Sequence, residues 1–324
     1  MSFKFYLFLI VAFILLALVA VSSGGASISL GDIAKFFTFG ELDETKELIL
    51  TQMRLPRLVL GILIGALLAT SGVVVQSVFL NPLADPYIIG IASAATFGAV
   101  AAYLLKLPDF YYGVFAFFSA AILSVLIFKL SKKGKSIATL LIIGIAFSSF
   151  LGAFTSFATY LIGEDSFKIV AWMMGYVGSA NWEKIAYISV PLVLSMAYFY
   201  FKRFELNVIL SGDEEAQSLG VDVEKMKKRL LIVSSLAVAF SVAFTGMIGF
   251  VGLIIPHTLR MILKTSSNIV LIPISAFAGG FFLLTCDTIG KSVLSPTEVP
   301  IGVVTAFFGA PFFLFLAIRS SRSI

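Results

Sequence analysis

The apolar residues of this chain are gathered into ten blocks, and the polar residues lie mainly in the short segments between them. Most blocks have the length of a membrane-spanning helix, which needs roughly 20 apolar residues. The pattern therefore predicts an all-α polytopic membrane protein, folded as a single transmembrane domain over residues 1–324. The predicted spans are residues 5–22, 57–80, 87–105, 110–130, 137–162, 183–201, 230–246, 249–263, 269–287 and 299–318.

The region 230–263 can be interpreted as one long helix or as two helices joined by a tight turn. Two helices give ten transmembrane helices with both termini in the cytoplasm. In that case 15 of the 23 Lys and Arg residues, including Lys133 and Arg319, lie on the cytoplasmic side. A single helix would divide the same residues into 12 and 11. Because basic residues concentrate in cytoplasmic loops, ten helices are favoured. Flexible backbone for a tight turn is available at Gly246, Gly249 and Gly252.

Composition narrows the class of protein further. Hydrophobic residues make up 59% of the chain and charged residues 13%, with a mean hydropathy of +1.04, whereas a soluble domain is about a quarter charged. The net charge of +5 is spread over inter-helix loops, which is typical of topogenic charge and not of nucleic-acid binding. Cys286 and His257 are single residues of their types, so we expect no intramolecular disulfide, no multi-histidine metal site and no cofactor bound by this chain. Residues 1–26 resemble a signal peptide, but their long apolar stretch favours a retained first helix.

The block 57–80 leads into a segment that cannot continue as a regular helix. Each of its two prolines lacks an amide donor and restricts the residue before it. Broken backbone next to a membrane-length helix is tolerated only where it is buried in protein or lines a wet cavity. We therefore expect this segment to line a translocation path, together with the polar side chain near the end of the helix. The candidate residues are Gln76, Asn81, Pro82, Pro86 and Gly90.

A similar arrangement recurs in the second half of the chain. Thr245-Gly246 leads into the run GFVGLIIPH, which we expect to be broken at Pro256. Paired broken helices in two halves of a transporter indicate a site at a repeat interface, so the two matches suggest an approximate internal repeat. His257 follows the proline, and a structural histidine is favoured over a ligand or a proton relay.

Residues 211–229 form the longest polar segment on the predicted cytoplasmic side. Acidic residues open it and basic residues close it, which suits the two ends of a helix, and a central glycine can end one short helix before a second begins. The segment is either a plain solvated loop or a compact knob for docking, and its position midway along the chain favours docking. The candidate coupling residues are Asp213, Glu214, Ala216, Leu219 and Gly220.

Three cations lie on the predicted external side, against the usual charge bias. Arg54 and Arg57 flank Pro56, and Lys291 is expected in the loop before the last helix. They are either helix-end anchors or contacts for an anionic partner. Arginine is suited to bidentate capture of carboxylates, so we treat the three residues as a candidate docking site.

A nucleotide site is not predicted. Gly134-Lys135-Ser136 and Gly290-Lys291-Ser292 each resemble the end of a phosphate-binding loop. The glycine required five residues earlier is replaced by Lys129 in one run and by Thr285 in the other. The chain therefore does not bind ATP through this motif.

These motifs together resemble the permeases of type II ABC importers for iron-siderophores, haem and cobalamin, the FecCD or BtuC-like family. One departure from the family pattern is Thr297-Glu298-Val299-Pro300, where a usual AxLP is expected. Lys291 stands where relatives often carry arginine. The matching runs are RLPR at 54–57, the Ser71-Gly72 to Gln76 stretch, NPLADPYIIG at 81–90, GDEEAQSLGV at 212–221, GFVGLIIPH with Arg260, and the run from Glu298 to Gly302 through GAPFF at 309–313.

The resemblance implies ten helices and a homodimer with the path at its interface, in a bacterial or archaeal cytoplasmic membrane. It also implies two ATP-binding subunits below, which would hold ATP and magnesium, and a substrate-binding protein above. By the same resemblance, the GDEEAQSLG region forms coupling helices that seat in the ATPase. Arg54, Arg57 and Lys291 match the positions that pair with glutamates of the binding protein.

The favoured function is therefore the permease of an ATP-driven importer of a metal chelate, with a ferric siderophore as the expected cargo. Cobalamin, haem and an oxyanion are alternatives within the same importer type. An ion-coupled secondary transporter is disfavoured because most acidic residues lie in loops and not within helices. An intramembrane enzyme is disfavoured because the chain offers one histidine and no cluster of acids or nucleophiles.

Overall fold

The computed structural model describes residues 3–26, 28–38, 40–87, 90–130 and 137–320. Lys133, used in the charge tally, and the Gly134-Lys135-Ser136 run lie outside these ranges. The described chain contains helices and no strand. The helices are α1 (Phe3–Ser22), α2 (Leu30–Phe37), α3 (Glu44–Ile49), α4 (Leu55–Val78), α5 (Ile91–Leu104), α6 (Phe110–Leu130), α7 (Ile137–Ile162), α8 (Phe167–Met173), α9 (Trp182–Phe201), α10 (Arg203–Ile209), α11 (Asp213–Ser218), α12 (Val223–Thr245), α13 (Val251–Leu263), α14 (Asn268–Val293) and α15 (Ile301–Ser320).

Each of the ten predicted apolar blocks coincides largely with one of these helices, which confirms the all-α membrane fold. Six described segments are long and apolar enough to cross a membrane, and α1, α5, α13 and α15 contribute shorter apolar stretches. The count of ten spans stays a prediction. Within 230–263 there are two helices, because α12 ends at Thr245 and α13 begins at Val251. The backbone between them has positive φ at Gly246 (66°) and at Phe250 (68°).

Two predicted boundaries are wrong. Lys291 does not lie in a loop, because α14 continues to Val293 and carries this lysine in its last turn. A cation there is favourable to the helix dipole, and the next proline, Pro296, comes only after the helix has ended. Similarly, α13 is not broken at Pro256, since it runs through this residue to Leu263. The irregular backbone precedes α13, at residues 246–250.

The centre of the fold is α4, which is enclosed by α9, α12, α13 and α14. Its glycines let neighbouring backbones approach closely, as is common where membrane helices pack. A Cβ atom added at Gly65 would overlap the carbonyl of Gly279 on α14, and one added at Gly72 would overlap the carbonyl of Gly252 on α13. The close approach therefore fixes α4 against two helices of the second half of the chain.

Candidate functional site

The segment between α4 and α5 is irregular, as its two prolines predict. Asn81 Oδ1 accepts a hydrogen bond from the Leu83 amide at 2.9 Å, and Asp85 Oδ1 accepts one from the Tyr87 amide at 2.8 Å. Short turns closed by Asn and Asp side chains are typical of such loops. Gly90 ends the segment with a φ of 83°, a conformation that glycine adopts at no steric cost.

Two irregular segments, 79–87 and 246–250, lie against each other. The Tyr87 hydroxyl donates to the Ile248 carbonyl at 3.3 Å, and Pro86 packs so closely on Gly252 that a Cβ atom there would lie 2.7 Å from its ring. His257 on α13 is hydrogen-bonded to the backbone of Pro82, and the ring must be the donor because proline has only a carbonyl to offer. The structure thus brings together Pro82, Pro86 and His257, as the path assignment requires.

Gln76 explains why α13 survives its proline. Pro256 has no amide hydrogen, so the Gly252 carbonyl loses its partner four residues along the helix. Gln76 Nε2 donates to this carbonyl at 3.2 Å and to that of Leu253 at 3.3 Å. Arg260 in turn donates to Gln76 Oε1. The amide of α4 therefore completes the hydrogen bonding of α13.

An apolar groove of about 390 Å³ opens beside these segments. Its one acidic group is Asp85, and burial raises the pKa of this carboxyl to about 6, while the bond from the Tyr87 amide opposes the shift. The wall is otherwise uncharged, which suits weak contact with a large apolar surface and not tight capture of an ion. The lining residues are Leu83, Asp85, Gly249, Phe250, Leu253 and Phe313.

A second polar centre, the external cluster, consists of Arg54, Arg57, Asp287, Lys291 and Glu298. Arg57 Nε donates to both oxygens of Asp287 at 3.1 and 3.0 Å, and Nη2 donates to Oδ1 at 2.8 Å. Arg57 Nη1 donates to Glu298 Oε1 at 2.9 Å. All three guanidinium nitrogens are therefore bound to carboxylates of the same chain.

The three predicted docking cations meet in this cluster, but their surroundings differ from the expectation. Lys291 Nζ is buried, donates to the Ala20 carbonyl of α1, and lies 3.6 Å from Asp287 Oδ2. Arg54 forms no ion pair within the described ranges, and its single hydrogen bond there is a 3.5 Å contact to the Ala26 carbonyl. Of the three cations, Arg54 is thus the one whose charge is least balanced by acidic groups within the described part of the chain.

The sequence pattern does not identify Asp287 and Glu298 as partners of Arg57. The signal for Asp287 is its position four residues before Lys291, which places both side chains on one face of α14. Glu298 follows α14 in the connecting segment, and no local pattern links it to α4. Burial raises the pKa of the Glu298 carboxyl, but the hydrogen bonds from Arg57 and Tyr176 and the charges of Arg57 and Lys291 together outweigh this and hold the pKa below its usual value.

The segment 211–229 folds as predicted into two helices, α11 and the start of α12. Gly220 has a φ of 84° and ends α11, and the Asp222 carboxylate caps α12 by accepting from the Lys225 amide at 3.1 Å. Asp213 Oδ1 accepts from Lys227 Nζ at 2.6 Å, which ties the two helices together. The segment is therefore a structured knob.

The candidate coupling residues divide into two groups. Leu219 is 70% exposed although it is apolar, and Glu214 also faces solvent. Ala216 is fully buried and packs inside the chain, so it shapes the knob and does not offer a contact surface. Leu219 therefore offers an apolar side chain on the surface of the knob.

The model of the FecCD transport family matches residues 9–319, which is most of the chain. The chain belongs to the FecCD transport family.

Curated members of this family are similar over most of the FecCD chain. The cobalamin import system permease protein BtuC of Halobacterium salinarum is 43% identical over 279 residues, covering 84% of this chain and 74% of its own. The hemin transport system permease protein HmuU of Yersinia pestis is 34% identical, covering 96% and 94%. A solved ABC transporter of the metal-chelate type, in an inward-facing conformation, superposes with a TM-score of 0.86 at 32% identity, covering 98% of this chain and 99% of the other. This FecCD chain is therefore a membrane transport protein of the permease type.

Proposed function

We propose that this chain is the subunit through which an ABC importer carries a bulky metal chelate across the cytoplasmic membrane. The observation that carries the proposal is the meeting of segments 79–87 and 246–250 beside an apolar groove. Irregular backbone near membrane helices is stable only inside protein or along a wet path, and a weakly charged wall suits a large cargo that must be released.

The cargo we propose is a ferric siderophore, with cobalamin and haem as alternatives that the names of the two relatives support. An oxyanion is the remaining alternative. The test is uptake of each labelled compound into proteoliposomes that contain the purified importer. We expect one chelate to accumulate in the vesicles only when ATP is supplied on the side of the ATP-binding subunit. Accumulation driven by an ion gradient without ATP would instead indicate a secondary transporter.

We propose ten spans with both termini in the cytoplasm. Cysteines introduced at Lys133 and Ser320 should both react with a membrane-impermeant reagent only from the cytoplasmic side. The native Cys286 is buried and provides a low background. Labelling of the Ser320 site from outside, with the Lys133 site still internal, would contradict the ten-span topology.

We propose that the knob at 211–229 seats in a separate ATP-binding subunit, which holds ATP and magnesium. Leu219 is the sharpest probe, because Gly220→Trp would strain a backbone with a φ of 84° whatever the partner does. Leu219→Asp should abolish co-purification of the ATPase and stop uptake, whereas Leu219→Met should retain both. Normal assembly and transport by Leu219→Asp would show that the knob is only a solvated loop.

We propose that the external cluster receives an acidic surface of a substrate-binding protein. Arg54 is the cleaner of the two arginines to test, since reversal of Arg57 would also break its internal pairs. Arg54→Glu should weaken binding-protein association, with a buried pair worth about 2–5 kcal/mol when broken, while the ATPase stays bound. Unchanged affinity for the binding protein would refute this docking site.

We also propose that the permease works as a homodimer. α7 and α15 expose many large apolar side chains, including Phe150, Phe157 and Phe307, and a second copy would cover them along the path. Light scattering of the purified permease should give twice the subunit mass, after correction for detergent. A mass of one subunit under conditions that preserve transport would contradict the dimer.

A further inference from the structure

Glu298 and Asp287 both bind Arg57, but only one of them is reachable from outside the protein. The Asp287 side chain is 3% exposed and is held by three bonds from the guanidinium. The Glu298 side chain is 27% exposed and is bound to the guanidinium by a single bond, from Nη1 to Oε1 at 2.9 Å, beside a hydrogen bond from the Tyr176 phenol. Glu298 is therefore the weaker and more accessible ligand of Arg57.

The second oxygen of Glu298, Oε2, is less well compensated than Oε1. It is buried and receives no hydrogen bond from a cation within the described part of the chain, and the donor beside this carboxyl is the neutral Tyr176 phenol. Glu298 is therefore paired with Arg57 through one oxygen, whereas Asp287 is paired through both.

The backbone around Glu298 is fixed on both sides. The Val299 amide donates to the Gly290 carbonyl at 2.9 Å, and the Ile301 amide donates to the Gly175 carbonyl at 3.1 Å. Departure of the Glu298 carboxylate therefore requires rotation of its side chain and no movement of the segment. Such rotations occur in nanoseconds or less at exposed sites, far faster than protein docking.

The charges of the external cluster define what can replace this carboxylate. Three cations, Arg54, Arg57 and Lys291, face two acids, Asp287 and Glu298. If Glu298 turned outward alone, Arg57 would lose one of its ligands in a largely buried site, which is strongly unfavourable. A second carboxylate arriving from outside would restore the bond and would lie close to Arg54.

We propose that Glu298 is an exchangeable internal ligand, which occupies Arg57 in the free permease and is displaced by a carboxylate of the docking protein. This inference rests on the proposed docking at the external cluster. Glu298 would then limit the affinity of docking, since every association must first break the bond to Arg57. It would also speed release, because the internal carboxylate can recapture Arg57 when the partner leaves.

The test is Glu298→Gln in the purified permease with its ATPase, measured against the purified substrate-binding protein of the same importer. We expect association to tighten about tenfold, which corresponds to about 1.4 kcal/mol, mainly through slower dissociation. The salt dependence should become steeper, because the cluster gains one net positive charge. Glu183→Gln, which removes the charge of another exposed external acid, is the matched control and should leave the affinity unchanged.

The outcomes separate the two proposals. If Arg54→Glu weakens docking but Glu298→Gln weakens it or leaves it unchanged, the docking site stands and the exchange is refuted. If neither variant changes the affinity, the docking site itself is wrong. Glu298→Ala provides a second variant, and failure of both Glu298 variants to fold would show that this carboxylate is a structural anchor, which also overturns the exchange.

Discussion

Helices α4 and α7 have almost the same length and are both strongly apolar, yet they have opposite surroundings. Within the described span Glu44–Val78, which includes α4, 78% of the most apolar stretch is buried. Within Leu141–Ile162, which belongs to α7, the share is 17%. Glycines show the difference directly, because Gly72 on α4 touches another backbone whereas a Cβ atom at Gly152 on α7 would meet open space. Hydropathy therefore predicts that both helices enter the membrane, and small residues in contact decide which one organises the fold.

The largest effect in this comparison is expected for Gly72→Leu. The new side chain would have to push α13 away from α4, because the Gly252 backbone already fills the space. Overpacking of this kind costs about 3 kcal/mol or more, so little folded permease should be recovered. Size-exclusion chromatography of the detergent extract measures this, with Gly152→Leu as the matched substitution. A monodisperse Gly72→Leu protein with normal yield would show that α4 is not the fixed centre.

The next largest effect is expected for Asp287→Asn. This change leaves Arg57 buried with only Glu298 as an anionic ligand, and breaking a buried pair on one side costs about 3–5 kcal/mol. Thermal unfolding of the purified permease should show a clear loss of stability. Asp32→Asn, which breaks an ion pair to the partly exposed Lys46, is the control and should have a small effect. Equal effects of the two substitutions would mean that the external cluster does not fasten α4 to α14.

A smaller effect is expected for Gln76→Leu. It removes the donor that replaces the missing amide of Pro256 and leaves the Gly252 carbonyl unsatisfied, which costs about 1–3 kcal/mol. The loss should appear in thermal unfolding, and Thr70→Val, which removes a hydroxyl bonded to carbonyls of its own helix α4, serves as the milder change. No loss of stability in Gln76→Leu would indicate that water supplies the missing hydrogen bond.

The smallest effect is expected for Gly152→Leu. The position faces open space within one subunit, and surface substitutions usually change stability by less than about 0.5 kcal/mol. The melting temperature should therefore stay close to the original, while the light-scattering mass reports whether α7 lies at the dimer interface. Gly72→Leu is expected not to fold. If Gly152→Leu also fails to fold, the contrast between α4 and α7 is wrong.

The sequence predicts the helices well because apolar length is a local property. The ten blocks, the loop with Pro82 and Pro86, and the two helices within 230–263 all follow from neighbouring residues. The exceptions depend on distant partners. Pro256 looks like a break until Gln76, which is 180 positions earlier in the numbering, is known to supply a donor.

The candidate sites are predictable in position but not in detail. Arg54, Arg57 and Lys291 do gather at one place, but their acids come from α14 and the segment after it, and no periodic pattern connects these to α4. Ala216 and Leu219 are close neighbours in sequence, and only the packed structure shows that one points inward and the other outward. Burial of this kind depends on tertiary contacts that a single sequence does not reveal.

The bond from Gln76 to the Gly252 carbonyl has a mechanical consequence. In the first turn of α13 the Gly252 carbonyl is satisfied by a side chain of α4 in place of the missing Pro256 amide, while Leu253 and Ile254 keep backbone bonds to Phe250. The two helices therefore cannot slide past each other without breaking that side-chain bond. We expect each displacement of α4 to loosen residues 251–255. The rate at which the amides of this turn exchange with deuterated solvent should therefore record how often α4 shifts during a transport cycle.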